Sequence, residues 1–192
     1  MNASSGAAQS PVDLGPAVEG EQPALSVDYR YSVMHGRDAR TTLDFSVAGG
    51  SSIVYDGTRY ELESYHFHTP SEHAIDGEYA AGEVHFVHRS ADGERAVMGV
   101  FIGEGEMAKP PVRLEQAVAM KSLVPESMTY YAYEGSLTTP PYTEGVRWIV
   151  LTERIEMHSD WLSAFSDRYG ANNRALQALN GRTVCIGSPA EH

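Results

Sequence analysis

Tyr60-Glu-Leu-Glu-Ser-Tyr-His-Phe-His68 and Gly82-Glu-Val-His-Phe-Val-His-Arg89 decide how this chain is read. Both stretches are short, rich in aromatic and β-branched residues, and alternate in character from one residue to the next, which predicts β-strands. In a strand, alternate side chains share a face about 6.6 Å apart along the backbone. His66 and His68 therefore turn toward one point while Phe67 faces away. His85 lies in the second stretch, reached through a turn around Asp76-Gly77, and either strand order that pairs the two stretches can set it opposite the first two histidines.

Outward from this pair, residues 24–100 alternate short apolar and polar runs between turn signals at Gly49-Gly50, Asp56-Gly57, Asp76-Gly77 and Asp92-Gly93. Strands are predicted over 41–47, 52–55, 60–68, 82–89 and 96–102, with further strand character at 146–151 and 183–186. Two stretches carry helical period: 112–121, where Leu114, Ala117, Val118 and Lys121 share a face, and 160–169 behind a Ser159 cap. Residues 1–22, broken by Pro11, Gly15, Pro16 and Gly20, read as an irregular N-terminal arm, and residues 23–192 as a single domain. The expected fold class is mostly β with short accessory helices laid on a sheet (α+β).

Composition narrows the partners. The 192 residues fall within the size of one domain, and 42% hydrophobic content is enough for a real core. A formal net charge of −12, from 26 acidic and 14 basic side chains, argues against nucleic acid or an anionic membrane surface. No run approaches the ~20 apolar residues that span a bilayer, and the arm lacks a basic head followed by an apolar stretch, so neither a transmembrane helix nor a signal peptide is expected. Cys185 is the only cysteine, which removes both an internal disulfide and a thiolate zinc cage. The missing disulfide fits a cytoplasmic protein, with a periplasmic or secreted location as the alternative if a leader has been removed.

Five of the eight histidines fall within residues 65–88. Three imidazoles from two strands leave zinc one open tetrahedral position, the arrangement of a catalytic site. Read alone, His66 and His68 could equally be a chance pair on a half-exposed strand. Glu83 lies two residues before His85 on the same face, where it could accept a ligand's ring proton and fix its tautomer, or be a plain surface carboxylate. Glu72 could be a fourth ligand, a general base or the partner of a hydroxyl, and spacing does not decide between them.

Seven separated segments, in order, carry a resemblance. They are Gln9-Ser-Pro-Val-Asp13, Tyr65-His-Phe-His68, Ser71-Glu-His-Ala-Ile-Asp76, Glu83-Val-His-Phe-Val-His88, Gly135-Ser-Leu-Thr-Thr-Pro-Pro141, Val146-Arg-Trp-Ile-Val-Leu151 and Asn172-Asn-Arg-Ala-Leu-Gln-Ala-Leu-Asn-Gly-Arg182. Together they resemble the alpha class of carbonic anhydrases in a shortened, bacterial-type form. The resemblance implies a large twisted, predominantly antiparallel mixed sheet and the reversible hydration of carbon dioxide to bicarbonate and a proton. It implies Zn2+ held by His66, His68 and His85, with Thr138 as the gatekeeper and Glu72 as the carboxylate that takes its proton, so that a zinc-bound hydroxide attacks the substrate. Zinc lowers the pKa of its water to about 7, a magnitude for which carbonic anhydrases are themselves the type example. Glu83 is implied to orient His85, and the Asn172 carbonyl to receive the ring proton of His68. Val87, Val97, Leu137, Thr139, Val146 and Trp148 are implied to line the substrate pocket, and aromatic sulfonamides to inhibit.

The chain also departs from that pattern. Counting back from Phe45 places Ala39 where many members carry a proton-shuttle histidine, and His35 is four residues too early unless its loop folds back. Proton export is therefore expected to limit turnover. Only eight residues precede Gln9, so an aromatic N-terminal segment is missing, and a homodimer partner could cover the surface it leaves. Ser64 stands where many members have a Gln supporting the first ligand, and Tyr142 where bacterial members often have a disulfide cysteine. Two rival readings remain: a cupin-type metal oxygenase or isomerase, in which Glu72 would bind the metal, and a non-catalytic binding module on the same fold.

Overall fold

A computed structural model of the chain describes residues 6–106, 115–119 and 123–189. Its strands in chain order are β1 (Val18–Glu19), β2 (Leu25–Asp28), β3 (Tyr31–Asp38), β4 (Leu43–Val47), β5 (Ser52–Tyr55), β6 (Thr58–His68), β7 (Ala74–Ile75), β8 (Glu78–Tyr79), β9 (Gly82–Ser90), β10 (Arg95–Gly105), β11 (Glu115–Ala119), β12 (Tyr130–Ser136), β13 (Glu144–His158) and β14 (Cys185–Gly187), with helix α1 (Ser159–Tyr169) after β13. The hairpins close where the sequence places them. Asp56 and Gly57 have φ of 51° and 73°, and Asp76 and Gly77 have 52° and 79°, the left-handed pair that a tight two-residue turn between right-twisted strands requires.

One twelve-stranded sheet runs β1-β14-β12-β13-β10-β9-β6-β4-β3-β11, with β5 also paired to β6 and β2 to β5. Among the described residues β10–β13 and β1–β14 pair parallel and the other pairs are antiparallel. This is the predominantly antiparallel mixed sheet expected. No helix among the described residues is long and apolar enough to cross a membrane.

The pleat sorts side chains onto two cores. Tyr65 and Phe67 of β6, Val84 and Phe86 of β9, and Met98 of β10 join the cluster that α1 covers with Trp161, Leu162 and Phe165. The Phe67 and Trp161 ring centroids are 5.0 Å apart, which fixes the back of β6. Each such side chain contributes roughly 1.5–3 kcal/mol by leaving water. On the opposite face, Val97, Val146, Trp148, Val12 and Leu14 form a second cluster. Val12 and Leu14, from the segment read as an irregular arm, are fully buried there.

Three local expectations need correction. Residues 115–119, within the stretch read as the first helix, are strand β11, paired antiparallel to β3 with Glu115 opposite His35; the rest of that stretch lies outside the described residues. Edge pairing on a sheet overrides a short helical period, because local propensity is weak and tertiary context outweighs it. The second helix forms, but its cap is His158, whose Nδ1 accepts from the Asp160 amide at 3.2 Å, and Ser159 is already helical. Strand β13 also runs past 151 to His158, and β12 was not anticipated.

Candidate active site

Strands β6 and β9 pair antiparallel with His66 directly opposite His85. The same pleat that buries Tyr65 and Phe67 turns His66, His68 and His85 to the other face, and one nitrogen from each ring lies within 4.8 Å of the others. Ring centroids are 5.0 Å apart for His66–His68, 5.3 Å for His66–His85 and 4.6 Å for His68–His85.

The nitrogens are prepared for a cation. Nδ1 of His68 meets the Asn172 carbonyl at 3.1 Å, which places its proton there and leaves Nε2 a lone pair. Nε2 of His66 and of His68 are buried with no hydrogen-bond partner. Burial, then the neighbouring imidazoles, hold His66 well below the usual histidine range, and burial followed by His85 pushes His68 down to about 3. Both rings are therefore neutral at physiological pH. For His85, burial opposes charge, but Glu83 and then Glu72 outweigh it and raise its pKa. The positive charge favoured there can be a proton or a metal ion, since both use the same lone pair. Orphaned neutral nitrogens at this spacing, with carboxylates behind them, fit zinc.

Carboxylates stand around the triad in distinct roles. Oε1 of Glu83 is 2.9 Å from His85 Nε2, a contact close in distance but bent away from good hydrogen-bond geometry, and 2.8 Å from His73 Nδ1. Glu83 is fully buried, yet His73 and His85 overcome the desolvation and keep it well below the usual carboxylate range. Its Oε2 accepts the amides of Glu72 and His73, each at 2.9 Å. Gly99, opposite His85 on β10, makes room for it: a Cβ there would sit 2.6 Å from Glu83 Oε1. Glu72 Oε1 accepts the Arg174 amide at 2.7 Å, and Thr138 stands close enough to the same carboxylate to favour its charged form. Oε2 of Glu72 lies 3.6 Å from His68 Nε2 and 3.8 Å from His85 Nδ1. Burial raises the Glu72 pKa, against the pull of His85, Thr138 and the Arg174 amide.

A cavity of about 190 Å³ opens on His66 and His68, lined also by Thr41, Thr42, Glu72, Thr138, Thr139, Tyr142, Asn172, Asn173 and Arg174. The predicted apolar positions are differently placed. Val97, Val146 and Trp148 are at most 2% exposed and belong to the second core cluster, with the Trp148 ring 4.9 Å from His85, while Val87 and Leu137 are half-buried beside them. His35 is exposed on β3 opposite Ser46 and does not line the cavity. Ala39 does not line it either; the wall from that loop is Thr41 and Thr42.

Sequence reasoning missed several participants. His73 bridges Glu83 to the Tyr133 hydroxyl, 2.7 Å from its Nε2, and that hydroxyl donates to Ser10 Oγ at 2.9 Å. Asn172 also acts through its side chain, accepting the Thr69 amide at 2.8 Å and donating to the Thr41 and Phe67 carbonyls. The Asn-Asn-Arg motif was visible, but only folding showed that Arg174 reaches Glu72.

A triad of strand histidines on a large mixed sheet, backed by buried carboxylates, makes a site able to hold a metal ion. The eukaryotic-type carbonic anhydrase family matches residues 1–187. A carbonic anhydrase of Pectobacterium carotovorum is 35% identical over 192 residues, covering 92% of this chain and 78% of the relative. Among solved structures, an alpha-carbonic anhydrase from Photobacterium profundum shares 32% identity with a TM-score of 0.88 over 95% of this chain and 90% of that one. The Thermovibrio ammonificans alpha-carbonic anhydrase, solved with the inhibitor sulfanilamide, shares 37% identity with a TM-score of 0.87 over 94% and 87%. The chain belongs to the eukaryotic-type, or alpha, carbonic anhydrase family, whose enzymes hydrate carbon dioxide. The cupin reading falls with this, since the sheet here is one open array with edges and not a double-sheet jelly roll.

Proposed function

We propose that this chain hydrates carbon dioxide reversibly using zinc held by His66, His68 and His85, without a histidine proton shuttle. The observation that carries the reading is the convergence of three imidazoles, two of which, His66 and His68, hold a buried Nε2 with no protein partner. Zinc bound there supplies acidified water at neutral pH, a property for which carbonic anhydrase is the standard example.

The chain's own residues do the rest. Asn172 holds the His68 tautomer, and Glu83 steadies His85 from behind. Thr138 commits its proton to Glu72, so only lone pairs remain to meet the attacking oxygen; that oxygen must donate to Thr138 and turn its own lone pair to the substrate carbon. Contact with carbon dioxide, which has no dipole, falls to half-buried Val87 and Leu137 and to Thr139, while Val97, Val146 and Trp148 support that wall from the core. Thr41 and Thr42 do not titrate near neutral pH, so the loop offers no imidazole to carry the product proton outward.

Stopped-flow hydration on zinc-loaded and chelator-stripped protein, with and without an aromatic sulfonamide and imidazole buffer, tests the reading. Zinc-dependent turnover, sulfonamide inhibition and a saturated rate that rises with imidazole are expected. Equal rates with and without zinc sink the assignment, and indifference to imidazole sinks the shuttle-free part alone.

A further inference from the structure

Tyr142 ends the turn that carries Thr138. Its φ is 61°, a left-handed conformation that a bulky residue holds only when its surroundings impose it. Its amide donates to the Thr139 carbonyl at 2.9 Å and the Leu137 amide to the Thr143 carbonyl at 2.9 Å, closing the turn. The Arg174 guanidinium carbon lies 3.8 Å from the centre of the Tyr142 ring, a cation held against an aromatic face. Nη1 of the same arginine donates to Gln9 Oε1 at 3.0 Å and to the Ser10 carbonyl at 2.6 Å. Gln9 closes the circuit, its Nε2 donating to the Tyr142 carbonyl at 3.2 Å and to Glu144 at 3.0 Å. Meanwhile the Arg174 amide donates to Glu72 Oε1 at 2.7 Å.

One residue thus grips both members of the Thr138–Glu72 pair, the carboxylate through its main chain and the threonine's turn through its side chain. We infer that Tyr142 and Arg174 are positioning residues, a clamp that sets Thr138 against Glu72. The inference rests on the carbon dioxide hydration reading. The turn's own backbone preference does not hold that geometry, because at φ 61° it would favour Gly or Asn over Tyr. A ring at this position is kept at a conformational cost, and what it gains is the guanidinium.

The clamp and a plain structural role predict opposite results for Tyr142→Asn, which tolerates the left-handed backbone but removes the ring. Tyr142→Phe keeps the ring, and Arg174→Lys keeps the charge and the amide bond to Glu72 but loses the planar stack. On zinc-loaded protein, Tyr142→Asn is expected to lower kcat/KM about tenfold, with zinc content and melting temperature held and the pH midpoint of kcat/KM unmoved. Tyr142→Phe should retain wild-type kinetics, Arg174→Lys should match Tyr142→Asn, and the double variant should lose no more than the worse single, as for two parts of one contact. If Tyr142→Asn does not fold, Arg174→Lys decides, since it leaves that backbone untouched. Wild-type kcat/KM in folded Tyr142→Asn or Arg174→Lys, or a loss in them confined to melting temperature, overturns the clamp. A zinc-loaded wild type that does not hydrate carbon dioxide overturns the functional reading and the clamp with it.

Discussion

Two buried histidines three residues apart on β9 face opposite sides of the same strand, and their surroundings could hardly differ more. His88, fully buried on the α1 side, spends both nitrogens: Nε2 accepts from the Tyr29 hydroxyl at 2.8 Å and Nδ1 donates to the Ala96 carbonyl at 3.3 Å. Burial pushes it down to about 3, so it is a neutral, satisfied core residue. His85, equally buried, stands among three imidazoles and two carboxylates, and the Nε2 atoms of His66 and His68 beside it are unpaired. Residue type and burial are the same. What separates a structural histidine from a metal ligand is what its nitrogens and those around it still lack.

The contrast can be broken most directly at His85. His85→Ala should abolish zinc retention and reduce hydration about a thousandfold or more, equivalent to about 4 kcal/mol of lost transition-state stabilisation; metal analysis and stopped-flow rates on the same sample check both. Glu83→Gln should weaken zinc binding by roughly 10–100-fold, the usual effect of removing a carboxylate behind a ligand histidine, measured by competition with a chelator. On the other face, Tyr29→Phe leaves His88 Nε2 unpaired and should cost about 1–3 kcal/mol of stability while hydration per folded molecule stays unchanged; denaturant melts alongside rates decide it.

The last test is in pH. His88 is neutral in the fold to about pH 3, whereas an unfolded histidine takes up a proton near pH 6.5. Below that value the unfolded chain binds a proton the native chain refuses, so stability is fully present above pH 6.5 and falls by up to about 1.4 kcal/mol per pH unit toward 3. His88→Gln should show a stability slope shallower by up to one proton over that window, and an unchanged slope would contradict the burial that keeps His88 neutral.

Much of this was legible beforehand because strand periodicity is local. Alternation around Phe67 told which way His66 and His68 turn, and the Asp-Gly pairs marked the hairpins. Residues 115–119 misled because a short helical period and an edge strand look alike until a partner strand is known, and that partner, β3, is some eighty residues earlier. The carbonyl of Asn172 was anticipated by resemblance, but its side-chain bonds were not, and neither was the Tyr133–His73–Glu83 chain behind His85. Apart from His73–Glu83, ten residues apart, these contacts join residues 60 to 131 positions apart, a separation no local pattern encodes.

By itself the sequence determined the periodic strands, their turns, the three imidazoles and the motif set that marks the family, since each depends on neighbours within a few residues. Only the tertiary structure decided the register that puts His66 opposite His85, the space at Gly99 that admits Glu83, and the meeting of Arg174 with both Glu72 and Tyr142. Those depend on how the pleats of distant strands are stacked, and packing between distant segments is settled by the whole fold at once.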